Sequence, residues 1–475
     1  MLATSPAFKQ NVKGALADVG LQKALAFTRP SFAGKRSAAV AALPEFEQLR
    51  DIGRDIKNHV LTNLDFYLET WAANVEKSGG IVHWCSTADD ARAAVLAICQ
   101  KAGARTVTKG KSMISEELAI NDHLEAHGIE PVETDLGEYI LQLRREPPSH
   151  IIAPAFHLNR EDWEESFRAS HTDLPEDRVF GERRDILTEA RKKLREKFLA
   201  ADVGITGANF LIAETGSSVI VTNEGNGDLT QTLPRVHIVL ASIEKVIPTL
   251  EDACTFLRLL ARSATGQDMS VYTTFSTGGR RPADLDGPEE YHVVLVDNGR
   301  TGMIGTEFQE MLRCIRCAAC MNHCPVYFTV GGHAYGWVYP GPMGSVLTPA
   351  LVGVDKAGHL PNASTFCGKC ESVCPVKIPL PKLMRHWRER EFERHLTPQT
   401  MRSNLAIWAW FARRPAAYRF ATRAAAWVLG LMAGKRGRFH SLPLASGWTD
   451  GRDLPAPEGE TFFARYARQQ RENQS

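Results

Sequence analysis

Two cysteine motifs, each closed by a Cys-Pro dipeptide, constrain this chain more than any other feature of its sequence. The first has the spacing C-x2-C-x2-C-x3-C-P, and the second, further along the chain, has C-x2-C-x3-C-P. Cysteines separated by two residues can each reach a different iron of one iron–sulfur cube, and a proline after the last cysteine ends any local helix. The first motif comprises Cys314, Cys317, Cys320 and Cys324, and the second comprises Cys367, Cys370 and Cys374.

Structural zinc, disulfide bonds and chance are the alternatives to iron–sulfur clusters. Zinc-binding cysteine pairs are seldom arranged as overlapping C-x2-C steps, and chance seldom produces a four-cysteine run with Cys-Pro that is followed by a second Cys-Pro motif. The motifs therefore predict two iron–sulfur clusters, for which the 4Fe-4S type is expected. A chain with two such clusters is predicted to transfer electrons.

The two motifs are unequal, because Ser364 stands in the second motif where Cys314 stands in the first. In two-cluster ferredoxins the last cysteine of each motif ligates the other cluster. Cluster 2 is then one thiolate short, so we predict a three-iron cluster, or a four-iron cluster with a non-cysteine ligand or an open iron. Ser364 is a candidate oxygen ligand, and a loop serine that only forms hydrogen bonds is the alternative. Cluster 1 is assigned Cys314, Cys317, Cys320 and Cys374, and cluster 2 is assigned Cys324, Cys367 and Cys370.

Composition is typical of a globular protein and excludes several classes of function. A length of 475 residues suggests about three domains. The net charge of +1 argues against nucleic-acid binding, which needs a basic surface. The N-terminus has no apolar h-region, and no run reaches the roughly 20 apolar residues of a membrane-spanning helix, so neither a secretory signal nor a transmembrane segment is predicted. Thiolate-rich metal sites suit a reducing compartment, and the predicted location is the cytoplasm.

Four regions are predicted along the chain. Residues 1–75 have the apolar spacing of amphipathic helices and are predicted to be a helical region. Residues 76–300 alternate β-branched runs, one of them at 150–156, with helical stretches, which indicates an α/β domain with a largely parallel sheet. Residues 301–385 are predicted to be an α-helical, ferredoxin-type domain that holds both clusters. Residues 386–475 are predicted to be a basic, Trp-rich C-terminal domain with a disordered tail.

Two segments of the α/β region resemble ligand-binding loops. Lys109–Ser112 is similar to the end of a phosphate loop, but Arg105 stands where a Walker A motif needs glycine, so nucleotide hydrolysis is not predicted. No G-x-G-x-x-G occurs between a strand and a helix, and a Rossmann site is therefore unsupported. Glu214–Ser218 is interpreted as a hairpin turn, with a small-molecule or anion pocket around Glu214 as the alternative.

The C-terminal region combines basic and aromatic residues. Between Arg385 and His440 there are twelve Lys or Arg residues against three Glu, interleaved with Trp, Tyr and Phe. Such a region can lie on an anionic membrane surface or bind an acidic partner. A helical cap with a solvated basic face is the alternative.

The sequence resembles the lactate-utilisation protein B family over essentially its whole length. The segments that carry the resemblance are KGKSMISEE, ADVGITGANFLIAETGSSVIVTNEGN, CIRCAACMNHCPVY and FCGKCESVCPVKIPLP. The family is the iron–sulfur subunit of a three-protein L-lactate oxidation system, and its second cysteine motif similarly has three ligands. The resemblance implies an α/β domain similar to the sugar-phosphate isomerase and CoA-transferase-like superfamily.

The resemblance also implies a function and two partner subunits. One partner would carry CCG-type cysteine-rich domains, and the other a related α/β domain. The chain would relay electrons through its clusters during oxidation of L-lactate to pyruvate, as a non-catalytic subunit without catalytic residues. The alternative is that the α/β domain is a catalytic or substrate-binding subunit around Glu214 and Lys111. The sequence has no flavin or nicotinamide motif to accept a hydride, which favours the relay.

Overall fold

The structure is a computed structural model, and it describes residues 4–474 except 176, 443–448 and 450. The chain divides into two units, Met1–Glu391 and Phe392–Ser475. The strands described in the first unit are β1 (Ile81–Cys85), β2 (Thr106–Lys109), β3 (Glu130–Glu133), β4 (Val203–Gly207), β5 (Phe210–Ile212), β6 (Ser217–Thr222), β7 (Val236–Ser242), β8 (Val246–Ile247), β9 (Tyr272–Ser276) and β10 (Glu290–Val296).

Six of these strands form a fully parallel sheet in the order β1-β10-β7-β4-β2-β3. Val236 at the start of β7 is level with Val203 of β4 and with Glu290 of β10. All seven residues of β7 are buried, as expected for a central strand with helices on both faces. Strands β2 and β4 are neighbours, but the chain continues from β2 outward to β3 and from β4 in the opposite direction to β7. The predicted parallel α/β domain is confirmed.

Helices surround this sheet, and side-chain caps define where several of them begin. Thr87 and Asp90 form a capping box at the start of α5, and Thr249 and Asp252 form one at the start of α12. The helices of this part are α1 (Phe8–Ala17), α2 (Val19–Ala41), α3 (Phe46–Thr62), α4 (Leu64–Lys77), α5 (Ala88–Lys101), α6 (Met113–Leu118), α7 (Ile120–Glu125), α8 (Leu136–Arg144), α9 (Arg160–Ser170), α10 (Arg183–Ala200), α11 (Asn226–Thr232) and α12 (Leu250–Ala264).

A smaller sheet, in the order β8-β5-β6-β9, contains the Glu214–Ser218 segment. Strands β5 and β6 are antiparallel neighbours, so the segment is a hairpin turn. Gly216 has a φ of 69°, and a Cβ atom there would lie 2.5 Å from backbone atoms of Asn74 and Val75. Glycine is therefore required both by the left-handed backbone and by the close approach of α4.

The strand predicted at residues 150–156 is wrong, because this segment is a loop of turns and bends. The ring of His150 accepts hydrogen bonds from the backbone N–H groups of Ile152 at 3.1 Å and Ala153 at 3.0 Å. Pro154 has no N–H group to donate to a neighbouring strand. Local side-chain bonds of this kind compete with a sheet ladder, and here they take its place.

The region with the cysteine motifs is made of short helices and shares its core with the α/β part. A single hydrophobic cluster joins Ile212 and Phe256 with Cys317, Val376 and Trp387. The predicted α-helical character of this region is confirmed. Its helices are α13 (Ala319–Asn322), α14 (Tyr327–Val330), α15 (Gly341–Val352), α16 (Val354–Ala357), α17 (Lys369–Ser372) and α18 (Leu380–Glu393).

The second unit contains two longer helices, α19 (Gln399–Ala412) and α20 (Pro415–Ala433), an antiparallel pair, β11 (Arg438–Phe439) and β12 (Leu454–Pro455), and α21 (Phe462–Glu472). Part of the segment predicted to be a disordered tail, residues 443–448 and 450, lies outside the described residues. Further along, α21 is helical. The Thr461 hydroxyl caps it by accepting the Ala464 N–H at 3.3 Å, and Glu460 forms ion pairs with Arg465 and Arg468.

Candidate cluster site and adjacent cavity

Four cysteines drawn from both sequence motifs line one small cavity. Cys314, Cys317 and Cys320 come from the segment that enters and begins α13, and Cys374 follows α17. The cavity measures about 20 Å³. The other residues that line it are Ile151, Ile315, Arg316, Ala318, Met343, Pro375, Val376, Ile378 and Leu380. The structure thus brings a cysteine of the second motif to the first three of the first motif.

The backbone around these cysteines is tightly turned, and one of its N–H groups donates a hydrogen bond to a cysteine sulfur. Arg316 and Ala318 have φ angles of 60° and 59°, a left-handed conformation that is unusual for residues other than glycine and that clusters at functional sites. The Ile378 N–H donates to Cys374 Sγ at 3.3 Å. Such bonds to sulfur are among the features by which a protein adjusts cluster potentials.

The remaining motif cysteines, Cys324, Cys367 and Cys370, do not line that cavity. Burial raises the pKa of Cys370 to about 12, and the neighbouring Cys324 and Cys367 thiols also raise it. Cys367 is exposed, and hydrogen bonds from the Lys369 backbone and the Thr365 side chain lower its pKa. The Tyr327 N–H donates to Cys324 Sγ at 3.5 Å.

These groups of residues fit iron–sulfur clusters in their chemistry. Thiolates are the soft ligands that such clusters take, and the walls of the small cavity are mainly apolar. Burial raises the pKa of Cys374 to about 11, so its thiol stays protonated until a metal displaces the proton. Within the described part of the chain, no three His, Cys, Asp or Glu side chains converge tightly enough to chelate one ion. A four-iron cube binds each thiolate at a different iron and does not need such convergence.

Ser364, the residue in place of a fourth cysteine, forms local hydrogen bonds. Its hydroxyl accepts the N–H of Phe366 at 3.1 Å, and its carbonyl oxygen accepts from Arg388 at 3.3 Å. Phe366 has a φ of 53°, so the serine bond supports a strained turn just before Cys367. This arrangement favours the structural interpretation of Ser364 over the ligand interpretation.

A buried network of charges lies beside the cluster 1 cysteines. Glu244 is 1 % exposed and accepts from Arg316 at 3.0 Å, while its other oxygen lies 3.0 Å from Nε of Arg300. Arg300 also binds Glu117 with both terminal nitrogens, at 2.9 and 2.7 Å. Glu117 further accepts from the Tyr339 hydroxyl at 2.6 Å, and the Arg316 guanidinium lies 5.0 Å above the Tyr339 ring. The network therefore fixes the position of Arg316 in the cysteine loop.

A second, much larger cavity of about 530 Å³ opens at the carboxyl ends of the parallel strands. Part of its lining comes from the ends of three strands. These residues are Gly110, Lys111 and Ser112 after β2, Asp135 shortly after β3, and Gly207, Ala208 and Asn209 at the end of β4. The loop at residues 150–156, which the sequence had predicted to be a strand, forms another wall of the cavity. Further lining residues include Trp163, Glu224, Lys245, Arg316 and Tyr339.

The structure separates the two residues that the sequence had suggested for a substrate site. Lys111 lines the large cavity, where its ammonium group donates to Asp135 at 3.1 Å and to the Ile152 carbonyl at 2.9 Å. Glu214 is not among the residues that line it, and its carboxylate accepts the Leu250 N–H at 2.9 Å. Glu214 therefore lies outside the large cavity, whereas Lys111 faces it.

Sequence reasoning missed the other charged residues of the cavity. Burial lowers the pKa of Lys245 to about 8, with the charge of Arg316 acting in the same direction. Burial raises the pKa of Glu224, and the charge of Asp135 adds to this. Two signals could have identified the cations: Arg316 lies within the first cysteine motif, and Lys245 follows the apolar strand VHIVLAS, at the edge of the sheet where α/β proteins bind ligands.

Across the part of the chain with described coordinates, no helix combines the length and the apolarity that crossing a membrane requires.

Three family models match consecutive parts of the chain. A LUD domain matches residues 68–296, a 4Fe-4S dicluster domain matches residues 310–378, and the C-terminal region of lactate utilisation protein B matches residues 383–471. The dicluster match spans all seven motif cysteines. The expectation of iron–sulfur clusters in this region is thereby confirmed.

Named relatives match nearly the whole chain. Lactate utilization protein B of Oceanobacillus iheyensis is 42% identical over 96% of this chain and 95% of its own length. Lactate utilization protein B of Bacillus pumilus is 41% identical over 98% of each chain. The Escherichia coli protein named uncharacterized electron transport protein YkgF is 40% identical over 98% of each chain.

One solved structure, of a DUF162 family protein from Deinococcus radiodurans, covers 49% of this chain and 98% of its own at 15% identity. Its TM-score of 0.26 is too low to support an argument about this fold.

Proposed function

We propose, since the chain belongs to the lactate utilisation protein B family, that it carries electrons through two iron–sulfur clusters during the oxidation of L-lactate to pyruvate. The single observation that carries this proposal is the cavity lined by Cys314, Cys317, Cys320 and Cys374. Bound clusters would supply one-electron transfer at this site.

The proposed ligand sets follow from this arrangement. Cluster 1 is assigned Cys314, Cys317, Cys320 and Cys374, because these four thiols line one cavity. Cluster 2 is assigned the other three motif cysteines, Cys324, Cys367 and Cys370. The fourth position of cluster 2 lacks a cysteine, and a three-iron form is proposed for it beside a four-iron form with an open iron. Apolar residues such as Val376 and Ile378 keep water away from the first site.

The proposed partners are two further lactate-utilisation subunits, one with CCG-type cysteine-rich domains and one with a related α/β domain. The family name supports a system of several proteins. A cytoplasmic location is proposed from the thiolate chemistry, which needs a reducing compartment. The second unit exposes Trp408 and Trp427 beside several arginines, which supports its proposed role in contacting an acidic partner or an anionic membrane surface.

The relay is tested with the full chain purified anaerobically, alone and together with the two proposed partners. Alone, the chain is expected to be reduced by dithionite, as seen by bleaching of its visible absorption, and to show no reduction by L-lactate. With its partners, L-lactate should reduce the clusters. A chain that dithionite cannot bleach after its iron and sulfide have been reconstituted would refute the relay.

A second candidate function is that the α/β domain binds the substrate itself. The observation that favours it is the 530 Å³ cavity, whose size and mainly apolar walls are typical of small-molecule sites. Lactate turnover by the isolated chain would support catalysis in this domain. Binding of a substrate without turnover would leave the chemistry to a partner.

A further inference from the structure

The large cavity lies at the position in a parallel sheet where ligands bind most often. Strands β2 and β4 are adjacent, and the chain leaves them in opposite directions, toward β3 and β7. Such a reversal of direction opens a crevice beyond the carboxyl ends of the two strands. The segments Gly110–Ser112 and Gly207–Asn209, which come from these two strand ends, both line the cavity.

Positive charge predominates on the wall that faces the cysteine loop. Lys245 lines the cavity and forms no hydrogen bond or ion pair with any residue that the structure describes. Arg316 shares Glu244 with the buried Arg300. Glu117 is taken by Arg300, so Glu244 is the carboxylate nearest to Lys245, and it is already bound by two arginines. The Lys245 ammonium therefore keeps its hydrogen-bonding capacity for a ligand in the cavity.

Other polar groups on the walls are also unpaired. Trp163 Nε1 is shielded from solvent and has no hydrogen-bond partner among the described residues. Glu224, on the loop before α11, is exposed at the cavity and forms no hydrogen bond or ion pair within the described ranges. Between these polar groups lie apolar side chains, such as Ile152, Phe156 and Leu260. An unpaired buried donor is costly, and a ligand that accepts a hydrogen bond from Trp163 Nε1 removes that cost.

We propose that this cavity binds a small organic carboxylate, whose carboxylate oxygens are held by Lys245 and Arg316. One terminal nitrogen of Arg316 already donates to Glu244, so the rest of the guanidinium is left to donate to a ligand carboxylate, and the Lys245 ammonium adds a point charge. The apolar walls receive the carbon skeleton, which an inorganic anion lacks. Trp163 can donate a hydrogen bond and Glu224 can accept one from a hydroxyl group of the ligand.

The site adjoins cluster 1 through shared residues. Arg316 and Ile151 line both the large cavity and the small cavity of Cys314, Cys317 and Cys374. A carboxylate bound to Arg316 would therefore contact the residue that directly precedes Cys317, one of the proposed ligands of cluster 1. This inference rests on the second candidate function, and it assigns that function its ligand class and its binding residues.

Binding to the full chain tests the inference without any redox step. The protein, purified anaerobically and left in its oxidised form, is titrated by calorimetry with L-lactate, pyruvate, lactamide and inorganic phosphate. Lactamide has the shape of lactate without its charge. We expect L-lactate or pyruvate to bind, lactamide to bind at least tenfold more weakly, and phosphate to bind more weakly than either carboxylate.

Two variants locate the site. Lys245→Gln removes the unpaired charge without breaking a bond within the described residues and should weaken carboxylate binding about tenfold or more, because hydrogen bonds to charged groups contribute about 1.5–3 kcal/mol. Lys192→Gln removes the same charge from the exposed face of α10 and should leave the affinity unchanged.

Each result decides the proposal. Equal binding of lactate and lactamide, equal loss in both lysine variants, or no binding of either carboxylate would overturn it. Phosphate that competes as well as pyruvate would show a general anion site and would overturn the carboxylate assignment. Dithionite reduction of the same preparation is measured separately, so a chain that is reducible but binds no carboxylate refutes this inference and leaves the relay intact.

Discussion

Replacement of Glu117 by glutamine tests the buried charge network that holds the wall of the cavity. Glu117 and Arg300 have side chains that are 0 % exposed. The carboxylate accepts four hydrogen bonds, from two nitrogens of Arg300, from Asn298 at 2.7 Å and from Tyr339 at 2.6 Å. Burial alone would raise the pKa of Glu117, but the charge of Arg300 outweighs it, so the pKa is lowered and the group is an anion at neutral pH.

The magnitude follows from what Arg300 loses. The amide nitrogen of a glutamine would face donors, and Glu244, which is shared with Arg316, would be the anion left to Arg300 beside the neutral carbonyl oxygen of Asp297 at 3.0 Å. Removal of one partner from a buried ion pair costs about 3–5 kcal/mol. Because Glu244 remains, we expect the lower end, about 3 kcal/mol, which corresponds to a roughly 150-fold larger equilibrium constant for opening of this region.

Hydrogen exchange followed by mass spectrometry measures this effect locally, which matters because a chain of several domains need not unfold in two states. Peptides that contain β10 and α6 should lose protection in Glu117→Gln. The control is Glu125→Gln, which removes a carboxylate from an exposed position on α7. A change in protection of less than fivefold in the first variant, or the same change in both, would refute the reasoning. Because Glu117 also positions Tyr339 under Arg316, carboxylate binding should weaken in parallel.

Three further predictions concern the clusters and the second unit. Cys374→Ala should abolish the paramagnetic signal of cluster 1, whereas Cys324→Ala should abolish that of cluster 2; loss of the same signal in both variants would contradict the crossed assignment. Mild oxidation of the wild-type protein should give a three-iron signal from one centre only, and Ser364→Cys should behave like the parent because the serine hydroxyl is engaged by Phe366; suppression of the signal would make Ser364 a neighbour of the open iron. The basic second unit should carry the chain onto anionic vesicles at low salt and release it at high salt, and equal sedimentation with neutral vesicles would exclude an electrostatic contact.

Much of the fold could be predicted because hydrophobic pattern and capping residues act locally. The strand RVHIVLAS and the helix that Thr87 caps each specify their own conformation over a few residues. The loop at 150–156 has the same apolar character as a strand. Its conformation depends on the ring of His150, which is buried against Asn322 of the cysteine region, a contact that spans 172 residues. No local pattern contains that information.

The candidate site also has a part that local sequence could predict and a part that depends on long-range contacts. The cysteine spacing indicated the cluster chemistry, because the geometry of a cube constrains neighbouring ligands. The large cavity could not be predicted as a site, because its walls come from many strand ends, loops and helices that are far apart in the sequence. Lys111 was identified by its likeness to the end of a phosphate loop, but its separation from Glu214 is set by the sheet order, which places the β5–β6 hairpin outside the six-stranded sheet. Arg316 was overlooked because the cysteines on either side of it explained the motif.

The N-terminal helices explain how the second motif reaches the cavity of the first. Arg36 of α2 donates to the carbonyl oxygen of Val373 at 2.9 Å, and Arg50 of α3 donates to that of Cys374 at 2.9 Å. Both arginines are buried, and each is more than 300 residues away in sequence from the turn that it binds. Charged donors to backbone carbonyls are strong hydrogen bonds, so these two side chains fix the turn that carries Cys374. They also place two positive charges close to thiols that would bear negative charge when metal is bound. The cysteine region is therefore not an independent ferredoxin joined to the rest by a linker, because the position of one proposed ligand depends on helices at the opposite end of the unit's sequence.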